Sequence, residues 1–352
     1  MTDPNGRTPR LVGWGITNRC NLTCPHCFTA SGKRSHDEMT TAECRNIIDA
    51  MAGIGVSTIG WTGGEPLLRA DLEDLIDYAR QKRIKSSVTT NGILLDRERA
   101  VRLSEAGNRA VQISLDGSTP ERNRMMRGAT DEEYDTILEA IRTCKRLENR
   151  VILATVLGRE NLDDGPEMIK LARREGVDSI RFCAYAPIGR GKQSKIKKRL
   201  YLGDALSELL RIVEQAQEES TLIVDFDIGF GPAPPDYTFH QCVAGIETFY
   251  LDATGDVYPC TSLTYREFLV GNVRETPLEE IWNSSAMLKA SEYQRGDIQG
   301  YCSGCDNFVN CHGACRGATL SQVGDLKASF PLCLYRIANE QHKSGAPPLA
   351  VG

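Results

Sequence analysis

Ten of the thirteen cysteines fall in two groups, and this clustering constrains the 352-residue chain more than any other feature. Cys20, Cys24 and Cys27 lie within eight residues. Cys302, Cys305, Cys311 and Cys315 lie within fourteen, with Cys242, Cys260 and Cys333 around them. The overall content is well short of the ~8–10% of small disulfide scaffolds. In a reducing compartment, grouped cysteines bind metal more often than they pair. The amino terminus, MTDPNGRTPRL, has no apolar core of a secretory signal, and no apolar stretch nears the ~18 residues of a spanning helix. A cytoplasmic metal-binding protein is the expectation. Cys44, Cys144 and Cys183 stand apart and read as small buried hydrophobes.

Charge excludes further classes. The 42 basic and 47 acidic side chains leave −5, which argues against a nucleic-acid or membrane-surface partner. A hydrophobic content of 41% suffices to fill a core.

The first ~185 residues alternate strand-like and helix-like segments. Strands are expected at Leu11–Thr17, Ser57–Thr62, Lys85–Thr90, Ala110–Leu115, Val151–Leu157 and Ser179–Tyr185. Several read as nearly continuous apolar runs, as in a parallel sheet covered on both faces. Thr40-Thr41-Ala42-Glu43 predicts a capping box opening a helix with Cys44, Ile47, Ile48 and Met51 inward. Gly53 is expected to end that helix in the left-handed region. Leu72, Leu75, Ile76 and Ala79 repeat the rhythm. The expected fold is therefore α/β, a partial (β/α)6 barrel over 8–190 with its chemistry at the strands' carboxyl ends. A helical and linker segment follows over 191–237, with a helix at Leu202–Glu219 and a Gly/Pro-rich run at Gly229–Tyr237. A small Cys-rich domain over 238–340 carries a β-hairpin, Phe249–Leu251 and Val257–Tyr258 around DATGD.

Cys20-x3-Cys24-x2-Cys27 sits just after the first strand. Three thiolates leave one iron of a four-iron cluster without a protein ligand, which is what a substrate-binding cluster requires. A structural zinc wants a fourth ligand, and His26 beside Cys27 is strained for simultaneous ligation. With Gly63-Gly64-Glu65-Pro66, Thr89-Thr90-Asn91-Gly92, Ser114-Leu115-Asp116-Gly117 and Arg127 on successive strand ends, the sequence resembles the radical S-adenosylmethionine (SAM) superfamily. The resemblance implies that the three cysteines hold a 4Fe–4S cluster whose open iron chelates SAM. It implies that Gly63, Gly64 and Glu65 hold the SAM amino group, with Asn91 alongside. Ser114 and Asp116 would face the ribose, Arg127 the carboxylate and Phe28 the adenine. A guanidinium fork suits a carboxylate because it binds it at two points.

The later cysteines, Cys242-x12-Gly255-x4-Cys260 followed by Cys302, Cys305, Cys311, Cys315 and Cys333, resemble the SPASM extension of that superfamily, which carries two auxiliary iron–sulfur clusters. A zinc ribbon is the competing reading. The resemblance assigns Cys302, Cys305, Cys311 and Cys333 to the outer cluster and Cys242, Cys260 and Cys315 to the inner one. Seven thiolates leave one inner position for substrate, water, a backbone group, or the hydroxyl of Thr248 or Thr261. Sulfatase-maturing relatives place cysteine and aspartate where this chain has Thr248 and Thr261, which argues against that activity.

The family uses one electron, from a donor such as flavodoxin or ferredoxin, to cleave SAM to a 5′-deoxyadenosyl radical that abstracts hydrogen from substrate. The auxiliary clusters then accept the electron left behind. The preferred substrate is a carboxylated small molecule of natural-product biosynthesis, undergoing decarboxylation or dehydrogenation as in cytosylglucuronate decarboxylase. The alternative is a ribosomally made peptide, crosslinked or oxidatively decarboxylated. With only ~10 residues before the first strand, such a peptide would need a separate leader-binding partner. Ala186–Gly191 and the basic run Lys192–Arg199 are expected at the barrel mouth, placed to receive an anion. An iron–sulfur or zinc scaffold without SAM chemistry is the non-enzyme alternative, although it would need neither Gly63–Glu65 nor Arg127.

Overall fold

The computed structural model describes residues 7–33, 35–192, 208–209, 211–212, 214–216, 218, 221–227, 230, 242–289, 291, 293–333 and 335–336. Six β/α units open the chain. The strands are β1 (Leu11–Thr17), β2 (Thr58–Gly63), β3 (Lys85–Thr90), β4 (Ala110–Ser114), β5 (Arg150–Leu157) and β6 (Ser179–Ala184). Between them run α1 (Thr41–Gly53), α2 (Leu72–Gln81), α3 (Arg97–Ala106), α4 (Pro120–Arg127), α5 (Asp131–Arg146) and α6 (Gly165–Arg174). Each strand pairs in parallel with the next.

The sheet extends beyond six strands in both directions. β7 (Ile223–Phe226) lies within the segment read as helix and linker, and it pairs in parallel with β6. On the other side β8 (Thr248–Leu251) pairs in parallel with β1. β9 (Asp256–Tyr258) and β10 (Gly271–Asn272) follow in antiparallel register. Among the described residues one ten-stranded sheet results, and the hairpin of the Cys-rich region is its continuation. Of the expected helix at 202–219, the described residues include helical Leu209, Ile212 and Ala216. The basic run 193–199 and most of 229–237 lie outside the described residues.

The two sheet faces differ in kind. Val12, Trp14, Ile59, Trp61, Val88, Val111, Ile113, Val151 and Leu153 are buried under the helices, with Trp14 and Trp61 stacked at 5.3 Å. The opposite face carries Gly13 and Gly15 beside Gly60 and Thr62, then Ser87, Thr89, Gln112 and Ser114. Continuous apolar strands covered on both faces are thus not what forms in β2–β4. Alternation gives an apolar outer face and a lumen of small polar side chains, which has room for a ligand.

α1 begins as expected, with the Thr40–Glu43 capping box formed and Cys44, Ile47, Ile48 and Met51 buried. Its end differs. Ile54 caps it at φ −90°, and Gly55, at φ +87°, takes the left-handed turn expected of Gly53. Glu43 also receives Arg274 Nε at 2.7 Å, tying the barrel to the chain after β10. That guanidinium, with the Thr40 N–H, pulls the Glu43 carboxyl from 4.5 down to about 2. A lowered folded pKa contributes stability above the unfolded value, lost as pH falls through about 2. Glu43→Gln should therefore lose less stability than wild type between pH 5 and pH 3 in urea melts; equal losses would place the acid sensitivity elsewhere.

Candidate active site

The loop after β1 presents Cys20, Cys24 and Cys27 on a backbone braced from several sides. Cys20 N donates to Gly32 O at 3.0 Å and Gly32 N to Asn18 O at 2.9 Å, closing the loop. Leu22 N donates to Cys20 Sγ at 3.4 Å. The β2–α2 turn packs against its start, with Gly64 N on Thr17 O and Glu65 N on Arg19 O. A Cβ on Gly63, at φ +135°, would lie 2.4 Å from Thr17 O, and one on Gly64 would lie 2.1 Å from Arg19 O. Only glycine permits this approach.

Glu65 is wholly buried. Its Oε1 accepts from Leu67 N at 3.1 Å and Thr90 Oγ1 at 2.7 Å, and its Oε2 from Asn91 N at 2.8 Å. Burial pushes its pKa up against those donors. The carboxylate thereby joins β2 and β3. Asn91 Nδ2 donates to Asn21 Oδ1 at 2.8 Å, so it steadies the loop after β1.

Asp116 is likewise wholly buried, and the ribose contact expected of it does not fit that position. Its Oδ1 accepts from Val156 N at 2.7 Å. Its Oδ2 stands 2.8 Å from Arg127 Nε, an ion contact off the hydrogen-bond line, and 3.2 Å from His26 Nε2, a ring whose pKa burial lowers. His26 Nδ1 donates to Met126 O at 2.9 Å, so both ring nitrogens turn away from the thiols and His26 is no metal ligand here. The Nη nitrogens of Arg127 meet no acceptor among the described residues, and the guanidinium's charge is felt at Cys24. Its fork thus keeps two donors beside the loop, as a carboxylate partner requires. Ser114 lies half-buried in the lumen.

The carboxyl-terminal cysteines gather as two sets. Cys302, Cys305, Cys311 and Cys333 line one small cavity with Phe308 and Phe330. Cys260 and Cys315 each feel Cys242, and Cys260 feels Cys315. Backbone N–H groups of Ala318 and Arg336 donate to Cys315 and Cys333 sulfurs at 3.3 and 3.4 Å. Burial pushes Cys24 up to about 11 and Cys315 and Cys333 to about 12, so metal must displace their protons. No three His, Cys, Asp or Glu side chains among the described residues converge on a single ion. Grouped thiols that accept N–H···S bonds fit iron–sulfur clusters.

Residues 14–172 match the Radical SAM superfamily, and residues 242–306 match SPASM, an iron–sulfur cluster-binding domain. Mycofactocin maturase MftC of Mycolicibacterium smegmatis is 30% identical over 343 residues, covering 93% of this chain and 83% of that protein. The chain belongs to the radical SAM superfamily. It is a radical SAM enzyme with a carboxyl-terminal SPASM domain. The AdoMet-dependent heme synthase of Methanosarcina barkeri is 27% identical over 351 residues, 93% of this chain and 97% of that protein. In structure, Streptococcus suis SuiB bound to precursor peptide SuiA superposes with a TM-score of 0.73 at 16% identity, over 93% of this chain and 76% of that one. No described helix is long and apolar enough to cross a membrane.

A cavity of about 430 Å³ lies between the cluster loop and the SPASM hairpin. Phe28 lines it from the loop, Gly15 and Gly63 from the lumen, and Lys192, Tyr250 and Asp252 from the far side. Sequence reasoning reaches Phe28 and Gly63 but neither Tyr250 nor Asp252. The available signal is Gly15: a Cβ there would strike the Tyr250 hydroxyl, so the small residues of β1 make room for a side chain from β8. Asp252 Oδ1 accepts from Thr254 N and Asp256 N, shaping the DATGD turn. The Ala186–Gly191 segment does not offer its charge to the cavity as expected, because Arg190 turns into the cluster loop.

Proposed function

We propose that this radical SAM/SPASM enzyme modifies a peptide substrate by hydrogen abstraction and net oxidation. The observation that carries this reading is the cavity, bounded on one side by the cluster loop and on the other by the SPASM hairpin. The kinship with a protein named a maturase and the likeness to SuiB, solved with a precursor peptide, support the peptide alternative over the small-molecule one. Kinship with a heme synthase supports the oxidative radical class, of which a small-molecule reaction is the second reading.

Cys20, Cys24 and Cys27 would hold the SAM-binding 4Fe–4S cluster. Cys302, Cys305, Cys311 and Cys333 would hold one auxiliary cluster, and Cys242, Cys260 and Cys315 the other. When loaded, the first cluster would supply the one electron that reductive cleavage of SAM requires. The chain's own work is orientation. Arg127 offers its Nη donors to the SAM carboxylate while Asp116 fixes its Nε. Ser114 and Asn91 border the lumen, and Phe28 lines the loop side of the cavity.

The test is anaerobic reconstitution, iron and sulfide analysis, then dithionite and SAM. About 12 irons per chain and 5′-deoxyadenosine are expected for three four-iron clusters. About 4 irons with tightly held zinc would remove the auxiliary clusters from the reading. Adding short peptides encoded beside the gene should then couple 5′-deoxyadenosine formation to a loss of mass from the peptide. Coupling to a small carboxylic acid alone would instead select the second reading.

A further inference from the structure

The segment after β6 serves two sites at once. Ile188, Gly189 and Lys192 line the cavity, while Arg190, between them, turns into the cluster loop. Its Nε donates to Cys24 O at 3.0 Å and its Nη1 to Ser31 O at 2.5 Å. Its backbone N–H donates to Cys27 O at 3.0 Å. One residue thereby holds the carbonyls of two cluster cysteines and the far end of their loop. Gly189 makes the approach possible, since at φ +55° a Cβ would lie 2.2 Å from Phe28 O. Tyr185 Oη donates to Gly191 O at 2.9 Å and secures the segment from behind. The guanidinium's charge also reaches the Cys20 thiol across the loop.

We propose that Arg190 is a positioning residue for the cluster of the Cys20–Cys27 loop, fixing the loop's shape and raising the cluster's reduction potential. The inference rests on reading that loop as cluster-binding. Reduction adds negative charge to the cluster, and a fixed guanidinium beside it favours the reduced form. The planar fork matters as well as the charge. It spans two carbonyls at once, whereas a lysine ammonium is a single point on a flexible stem. Because its neighbours line the cavity, the same segment links what occupies that cavity to the cluster's surroundings.

Potentiometry of the cluster that responds to SAM tests this in the reconstituted full chain, with wild type, Arg190→Ala, Arg190→Gln and Arg190→Lys. In Arg190→Ala the midpoint should move to a more negative value. Substrate-free 5′-deoxyadenosine formation should fall roughly tenfold, as outer-shell losses at metal sites do. Arg190→Gln, which keeps a hydrogen-bonding head without charge, should share the shift, while Arg190→Lys, which keeps the charge without the fork, should recover part of it. Should Arg190→Ala fail to keep its cluster, the Gln and Lys variants carry the comparison alone. A wild-type midpoint in both Ala and Gln, or in Gln alone where Ala loses the cluster, overturns the inference. A wild-type chain that assembles no SAM-responsive cluster overturns the cluster reading, and this inference with it.

Discussion

Replacing Cys20, Cys24 and Cys27 together with alanine should abolish 5′-deoxyadenosine formation and remove about 4 irons per chain, the content of one cluster. The folded chain should survive. The loop is closed by backbone hydrogen bonds, Cys20 N to Gly32 O and Gly32 N to Asn18 O, and it is braced by Gly64 and Glu65 N–H groups. None of these needs a thiol. The other two sets lie on separate elements, Cys315 at the start of the helix Arg316–Val323 and Cys302 within Gly300–Gly304. They should keep their iron, roughly two-thirds of the wild-type content. Iron and sulfide analysis beside an anaerobic SAM assay measures both. Retained 5′-deoxyadenosine formation would refute the assignment of the loop, and loss of all iron would mean that the clusters assemble as a unit.

The catalytic frame is legible in the sequence because its signals are local. A CxxxCxxC run, a capping box and the periodic apolar positions of α1 and α2 each lie within about four turns of chain. What the sequence hides is contact between distant segments. Asp116 reads as a ligand residue by its place after β4. The fold instead aims it at His26 and Arg127, which lie 90 positions before it and 11 after it. Arg190 reads as part of the Ala186–Gly191 segment at the barrel mouth, and only folding sets it against carbonyls some 160 residues away. The SPASM hairpin reads as a separate domain. Its pairing with β1 depends on a register that no local pattern specifies. Gly13 and Gly15 were the quiet clue, since glycine in a strand interior marks close approach by something else.

Asp116→Asn is expected to destabilise the chain by about 3–5 kcal/mol, because it strands a buried guanidinium. The Asp116 side chain is 0% exposed and that of Arg127 10%. Asparagine keeps an acceptor for Val156 N but turns a donor or a neutral oxygen toward Arg127 Nε and His26. Arg127→Met should cost a similar amount by leaving the carboxylate uncompensated. In the double variant neither charge is stranded, so its loss should fall well short of the sum. Urea denaturation of the four forms closes this cycle, and strict additivity would mean that the pair does not interact. SAM affinity separates the two roles of the arginine. Arg127→Met should also weaken SAM binding, by roughly 1.5–3 kcal/mol for a lost charge-assisted contact. Asp116→Asn, which keeps the Nη fork but frees its orientation, should weaken it less. If both substitutions reduce stability and neither changes SAM affinity, Arg127 is a structural ion-pair partner and another group takes the carboxylate.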